Sequence, residues 1–215
     1  APEPPKESPK KALAQLGVVA ALAAVALGAY AFQMKRTFAV KTLVSEALPL
    51  IEKSDVASLR AAQAKYDEAL ERGGSDQSLT GAAEVYALLW VEHGFADAKD
   101  KAITYSREAA SKGIENSQRF LAEALVAVGE GKPQEGKRVI DAVVARGASS
   151  ERLYFAAGVV ELALGTARGA KDRFKRAHDI KSQVPHYARW LGDAADDMND
   201  PKAASFAWES AAKAN

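Results

Sequence analysis

Residues 153 to 177 read LYFAAGVVELALGTARGAKDRFKRA, a stretch in which small residues recur at fixed offsets between larger apolar ones. The small side chains and the aromatic ones that flank them are Gly158, Gly165, Ala170, Ala177, Tyr154 and Phe174. No two groups in the stretch could form an acid–base or nucleophilic pair, and the chain has no G-x-x-x-x-G-K-[ST] phosphate loop. The spacing therefore points to packing rather than to chemistry.

The same pattern occurs in three consecutive blocks that start at Ser117, Glu151 and Pro185, at intervals of 34 residues. In each block, small residues at positions 8 and 20 let two antiparallel helices approach, and a large residue at position 24 fills the space between them. A glycine or asparagine at position 15 favours the left-handed conformation that ends the first helix. The residues to which we assign this packing are Gly158, Ala170, Phe174, Ala177, Gly192, Ala204 and Trp208.

This pattern resembles the tetratricopeptide repeat (TPR) family. The resemblance implies an all-α fold, a solenoid of helical hairpins, with repeats near 80–116, 117–150, 151–184 and 185–215. The fit is looser upstream, where FADAKDK at 95–101 is about three residues too long for the consensus. Residues 35–79 are expected to form a linking helix and a degenerate TPR-like helix pair, with a kink or an early stop at Pro49.

The chain before the repeats has two parts. Residues 1–11 are rich in proline and charge, which predicts a disordered linker. Residues 12–34 predict a single transmembrane helix, because no charge occurs from Leu16 to Phe32 and the helix would span about 34 Å, against about 30 Å for a bilayer core. A buried core helix and a signal peptide cleaved after Ala31 are the alternatives.

The topology of this predicted single-pass helix is not decided by charge. Basic residues flank it on both sides, at 10–11 and 35–36. A short N-terminal tail ordinarily stays in the cytoplasm, which would place the repeats in the periplasm of a Gram-negative cell. We therefore expect a protein of the bacterial inner membrane whose TPR domain is periplasmic.

Composition argues against several function classes. The 29 Lys and Arg residues nearly balance the 28 Asp and Glu residues, whereas a nucleic-acid binder needs a basic excess. The chain has no cysteine, which excludes disulfides, a thiolate nucleophile and a zinc–cysteine site. Three histidines lack metal-ligand spacing, and GDAADDMND at 192–200 departs from the calcium-loop pattern. We expect no enzymatic activity, cofactor, metal or nucleic-acid partner.

The resemblance also implies a concave groove, lined by positions 2, 5, 9 and 12 of each first helix. The residues expected to bind a partner there are Glu84, Leu88, Leu121, Leu125, Arg152, Phe155, Val159 and Arg189. Because the middle of this set is apolar, the expected partner is an amphipathic helix or an apolar peptide. The Lys and Asn clamp by which TPR co-chaperones hold a carboxylate is missing. Two alternatives stay open: the chain's own helix at 37–52 covers these residues, or a second copy does so in a homo-oligomer.

The function that these features predict is a membrane-tethered TPR scaffold, an adaptor that holds a partner protein as part of a bacterial envelope complex. Two other interpretations fit the same residues. The array could be the C-terminal accessory domain of a larger chain with an upstream catalytic or regulatory domain, or a secreted soluble TPR binder.

Overall fold

The computed structural model describes residues 9–214, with side chains described for residues 22–213. Most of the expected linker, residues 1–8, and the side chains of residues 12–21 lie outside the described part. The predicted all-α fold is confirmed: residues 9–214 contain helices and no strand. The helices are α1 Pro9–Lys53, α2 Val56–Glu71, α3 Asp76–Val91, α4 Lys99–Ser111, α5 Ser117–Gly129, α6 Pro133–Ala145, α7 Glu151–Ala163, α8 Ala167–Ile180, α9 Pro185–Asp196 and α10 Pro201–Ala214.

The helices form consecutive antiparallel pairs, each connected by a short turn. The first helices of the last three pairs, α5, α7 and α9, begin at Ser117, Glu151 and Pro185, the residues at which the sequence blocks start. The pair α3 and α4 begins earlier than the sequence suggests, at Asp76 rather than near residue 80. The extra residues between its two helices form a 3-10 helix, Ala96–Ala98.

Local capping explains where these helices begin and end. Asn116 accepts a hydrogen bond from the backbone N–H of Arg119, and Ser150 accepts one from Leu153, so both side chains satisfy free donors at a helix N-terminus. The turns within the pairs use the left-handed conformation predicted for position 15. Positive φ angles of 75°, 76° and 54° occur at Gly131, Gly165 and Asn199.

Close approach within each pair depends on the small residues. A Cβ atom built on Gly158 would lie 2.4 Å from Cε1 of Phe174, and one on Gly192 would lie 2.3 Å from Nε1 of Trp208. Phe174 is fully buried, whereas Trp208 is 41% exposed and donates from Nε1 to Asp193 over 3.0 Å. Ala170, Ala177 and Ala204 are fully buried. The large residue at position 24 therefore rests on the backbone of the first helix, as the spacing predicts.

The early stop predicted at Pro49 is not found, because α1 continues past this residue to Lys53. A proline within a helix removes one hydrogen bond, but Ala47 and Ile51 on either side of it are buried and hold the last turn against the core. The helix ends at Lys53, and the next residue, Ser54, has a positive φ of 52°. Asp55 then caps α2 by accepting a hydrogen bond from the backbone N–H of Ser58.

The structure divides at Ala39 and Val40 into two compact units, and the second unit contains all the helix pairs. Within the described residues, no helix combines the length and the apolar character needed to cross a bilayer. Part of the predicted transmembrane segment, residues 12–21, has side chains that lie outside the described part.

Candidate partner-binding face

The residues predicted to line the groove come together on one face of the first helices, and that face is buried. We call it the inner face, which comprises Glu84, Leu88, Leu121, Leu125, Phe155 and Val159. None of these six residues is more than 4% exposed. The partner-binding role of these residues stays a prediction, and in the structure the face is covered; helical spacing identifies the face but not what covers it.

The chain's own α1 helix contributes to the cover. Val40, Val44, Ala47 and Ile51 recur at the spacing of one helix face and are buried in the same apolar core as the inner face. Ile51 lines a small internal space together with Leu88 and Leu121. Of the alternatives that the sequence leaves open, the structure therefore shows the intramolecular one for residues 40–51.

A buried polar link runs along the inner face across three first helices. Nε of Arg152 in α7 donates to Glu84 in α3 over 2.8 Å, and Nε2 of Gln118 in α5 donates to the same carboxylate over 2.7 Å. The side chains of Arg152 and Glu84 are 14% and 3% exposed. Attraction by Glu84 raises the pKa of Arg152 above its usual range. This link joins residues two repeats apart on the inner face.

A second polar cluster joins the first and last parts of the array, and we call it the seam. It consists of Glu52, Ser54, Glu92, His93, Lys181, His186 and Arg189. Lys181 forms an ion pair with Glu52 and Arg189 forms one with Glu92.

Histidines complete the seam. Oγ of Ser54 lies 3.2 Å from Nδ1 of His186, and Nε2 of His93 lies 3.2 Å from the carbonyl oxygen of Ser54. Oε2 of Glu92 lies 3.4 Å from the same Nδ1 of His186. The end of α1, the end of α3 and the start of α9 thus meet, and the array closes on its inner face.

Serine, histidine and glutamate in contact resemble the residue set of a nucleophilic triad, but their geometry differs from one. In a working triad the nucleophile and the acid contact different ring nitrogens, so that a proton can pass through the imidazole. Here Ser54 and Glu92 both approach Nδ1 of His186, whose side chain is only 7% exposed. Across the described part of the chain, no three His, Cys, Asp or Glu residues form a metal-binding group.

Burial dominates the protonation of the seam histidines. It lowers the pKa of His186 to about 3, which outweighs the attraction of Glu84, and Arg152 lowers it further. Burial also lowers the pKa of His93, although the carbonyl of Ser54 opposes this. Both rings are therefore neutral near pH 7 and act as hydrogen-bonding groups within the seam.

No local sequence pattern marks most of the seam residues as partners. Ser54 precedes a typical helix cap, and Glu92 lies in the ordinary polar end of a helix. Of the predicted partner-binding residues, only Arg189 belongs to the seam, where it is paired rather than free. A contact between residues more than 90 positions apart in the chain depends on the summed curvature of several repeats, which local patterns do not encode.

The stacked helix pairs define a helical-hairpin repeat protein. No family model and no curated protein match the chain. Among solved structures it is similar to PilF of Pseudomonas aeruginosa, with a TM-score of 0.51 and 15% identity over 84% of this chain and 78% of that one. It is also similar to MamA of Desulfovibrio magneticus RS-1, with a TM-score of 0.47 and 15% identity over 82% and 94% of the two chains.

PilF and MamA are both TPR-repeat proteins. At 15% identity the likeness to PilF concerns the fold alone. Together with the helix pairs and their small-residue contacts, it shows that the chain has a TPR-type fold.

Proposed function

We propose that this protein is a non-enzymatic scaffold that binds a helical segment of a partner protein on its inner face. One observation carries the proposal: Leu121, Leu125, Phe155 and Val159 are buried in one core with an amphipathic helical segment, residues 40–51. An apolar face that already packs with an amphipathic helix has the shape and chemistry for helix-in-groove recognition. A partner helix with the same apolar spacing would take the place of this segment or lie beside it.

We further propose that α1 tethers the scaffold to the bacterial inner membrane, with the repeats in the periplasm. Support comes from the uncharged sequence between Leu16 and Phe32. It also comes from apolar side chains of α1 that no other part of the described structure covers: Leu22, Val25 and Phe32 are 65%, 71% and 69% exposed. A row of exposed apolar side chains on a helix is typical of an interaction surface for lipid or protein.

Photocrosslinking tests the partner site. Val128 lies on the same helix as Leu121 and is partly exposed, so a photoreactive residue there reports on a helix at the inner face. The matched control is Phe206 on α10, which is 74% exposed. We expect a discrete partner protein captured from position 128, and competition by a synthetic peptide of residues 40–53. Equal capture from both positions, or capture that the peptide does not reduce, would contradict the proposal.

The membrane proposal has its own test. Because the natural chain has no cysteine, a single Lys202→Cys variant can be labelled in intact cells with a membrane-impermeant maleimide. We expect labelling without lysis, and retention of the full chain in carbonate-washed membranes. A Leu22→Lys/Val25→Lys variant should be released from the membranes. Release of the unaltered chain by carbonate would refute tethering, and labelling only after lysis would refute the periplasmic assignment.

A further inference from the structure

The inner face is closed at the seam, where the contacts differ in chemistry from the apolar contacts inside a helix pair. Inside a helix pair, aromatic rings rest on glycine backbone, as Phe174 does on Gly158. At the seam, charged and polar side chains meet in pairs that are partly exposed. Lys181 and Glu52 are 32% and 36% exposed at the side chain, and Arg189 is 42% exposed. The Lys181–Glu52 pair is screened by solvent and adds little to stability, whereas Glu92, the partner of Arg189, is only 4% exposed.

Open clefts flank the seam on two sides. One, of about 320 Å³, is lined by residues that include Lys53, Arg189 and Trp208. The other, of about 440 Å³, is lined by residues that include Pro49, Ser58 and Gln183. The ion pairs of the seam therefore lie between two solvent-filled clefts, while the ring of His186 beside them packs against that of Phe155 at 4.4 Å between centroids.

The seam is also incompletely satisfied. Oε2 of Glu92 is buried and makes no hydrogen bond, although Nδ1 of His186 lies within 3.4 Å. Nδ1 of a neutral imidazole can make one good hydrogen bond, and Ser54 already competes for it. Buried polar groups without partners raise the free energy of the closed state, and so favour opening at this place.

We infer that the seam is a gate. Its separation moves the start of α9 away from the ends of α1 and α3, and exposes the inner face to a partner helix without unfolding the helix pairs. The inference rests on the proposed function for the nature of the occupant, but the opening itself is a property of the chain alone. Such a local opening would first break contacts that are exposed to solvent, as the Lys181–Glu52 ion pair is.

Thiol labelling tests the gate on the full chain, because the chain has no cysteine of its own. Val159→Cys places a reporter on the inner face, and Ala102→Cys places a matched reporter in α4, where the native side chain is fully buried. Each reporter is combined with the seam variant Lys181→Ala/Arg189→Ala and with the charge-conserving Lys181→Arg/Arg189→Lys. The probe is a small water-soluble disulfide, and circular dichroism checks that helicity is kept.

We expect the alanine seam variant to label about tenfold faster at the Val159→Cys reporter, with no change at the Ala102→Cys reporter. The charge-conserving variant should stay slow at both. Equal acceleration at both reporters would show that the seam holds the whole fold, and no acceleration at either would show that it does not close the inner face. Either result overturns the inference. Loss of partner capture at Val128 with the labelling result intact would refute the proposed function and leave the gate standing.

Discussion

The ring of Phe174 in α8 lies directly on the backbone of Gly158 in α7, so closely that an added Cβ would be 2.4 Å from Cε1. The same ring lies 5.8 Å from the ring of Phe155, measured between centroids, and thereby connects the interior of a helix pair with the inner face. The stability of the repeat should therefore depend on the absence of a side chain at residue 158.

We predict that Gly158→Ala destabilises the protein by about 1–3 kcal/mol, because the new methyl must displace a fully buried ring. Gly169→Ala is the matched control on a helix. There the added Cβ would meet only the carboxylate group of Glu161, with Oε2 at 2.3 Å and Cδ at 2.9 Å, which is the far end of a flexible side chain. The free energy of unfolding of the Gly169→Ala variant should be unchanged or up to about 1 kcal/mol higher, because alanine has the higher helix propensity. Urea unfolding of both variants measures the difference, and equal effects would argue against the ring contact.

Phe155→Glu should lower the free energy of unfolding by more than about 3 kcal/mol, since a charge would enter a buried aromatic cluster. Phe155 is 1% exposed, and its ring centroid lies 4.4 Å from that of His186 and 6.0 Å from that of Trp190. The same substitution at Phe206, which is 74% exposed, should change stability by less than about 0.5 kcal/mol. Thermal melts compare the two, and a stable Phe155→Glu variant would show that the inner face is open in solution.

The buried Glu84–Arg152 pair gives a third prediction. Arg152→Met should cost about 3–5 kcal/mol, because it leaves the buried carboxylate of Glu84 without a cation, and Glu84→Met should cost less, because Arg152 keeps its ion pair with Glu151. The double variant should be more stable than either single variant, because it leaves neither charge unpaired. A double-mutant cycle measures this coupling. If the losses of the two single variants simply add up in the double variant, Glu84 and Arg152 do not interact, and water rather than the partner side chain stabilises each charge.

Acidification should weaken the fold through His186. Its pKa is about 3 in the folded chain and about 6.5 when free, so below pH 6.5 the unfolded chain binds a proton that the folded chain does not. The groups around the ring include Glu84, Glu92, Arg152 and Arg189. Stability should fall from pH 6.5 towards pH 3, by about 2 kcal/mol at pH 5 from this group alone. Urea midpoints at pH 7 and pH 5 measure the loss.

The control for this pH effect is His186→Gln, which cannot titrate. It should lose less stability than the unaltered chain between pH 7 and pH 5, while His93, whose pKa burial also lowers, still contributes in both. An identical loss in the two proteins would mean that His186 binds its proton in the folded state, stabilised by the carboxylate of Glu92.

Much of the fold could be predicted because its determinants are local. The starts of α5, α7 and α9, and the left-handed turns at Gly131, Gly165 and Asn199, follow from residues within one block. The contact of Phe174 with Gly158 follows from spacing in the same way. Each of these features needs only a few neighbouring residues and the geometry of a helix.

The closure of the inner face could not be predicted, because it depends on how small rotations between neighbouring pairs accumulate. Leu121, Leu125 and Phe155 are equally suitable for an open groove and for a closed core. Ser54 and Glu92 carry no local pattern that marks them as partners of the start of α9. Periodicity identifies the face that is apolar, and only the three-dimensional path of the chain determines what lies against it.

The link from Arg152 to Glu84 has a consequence for how such a chain can change length. Repeat proteins are commonly extended or shortened by whole units, since each unit contacts only its neighbours. Here the carboxylate of Glu84 in α3 pairs with Arg152 in α7. Deleting the repeat between these helices would move Arg152 away from its place beside Glu84. Duplication or loss of a repeat would leave the buried Glu84 without Arg152. The number of repeats in this chain is therefore constrained, whereas the number of repeats in an open array is not.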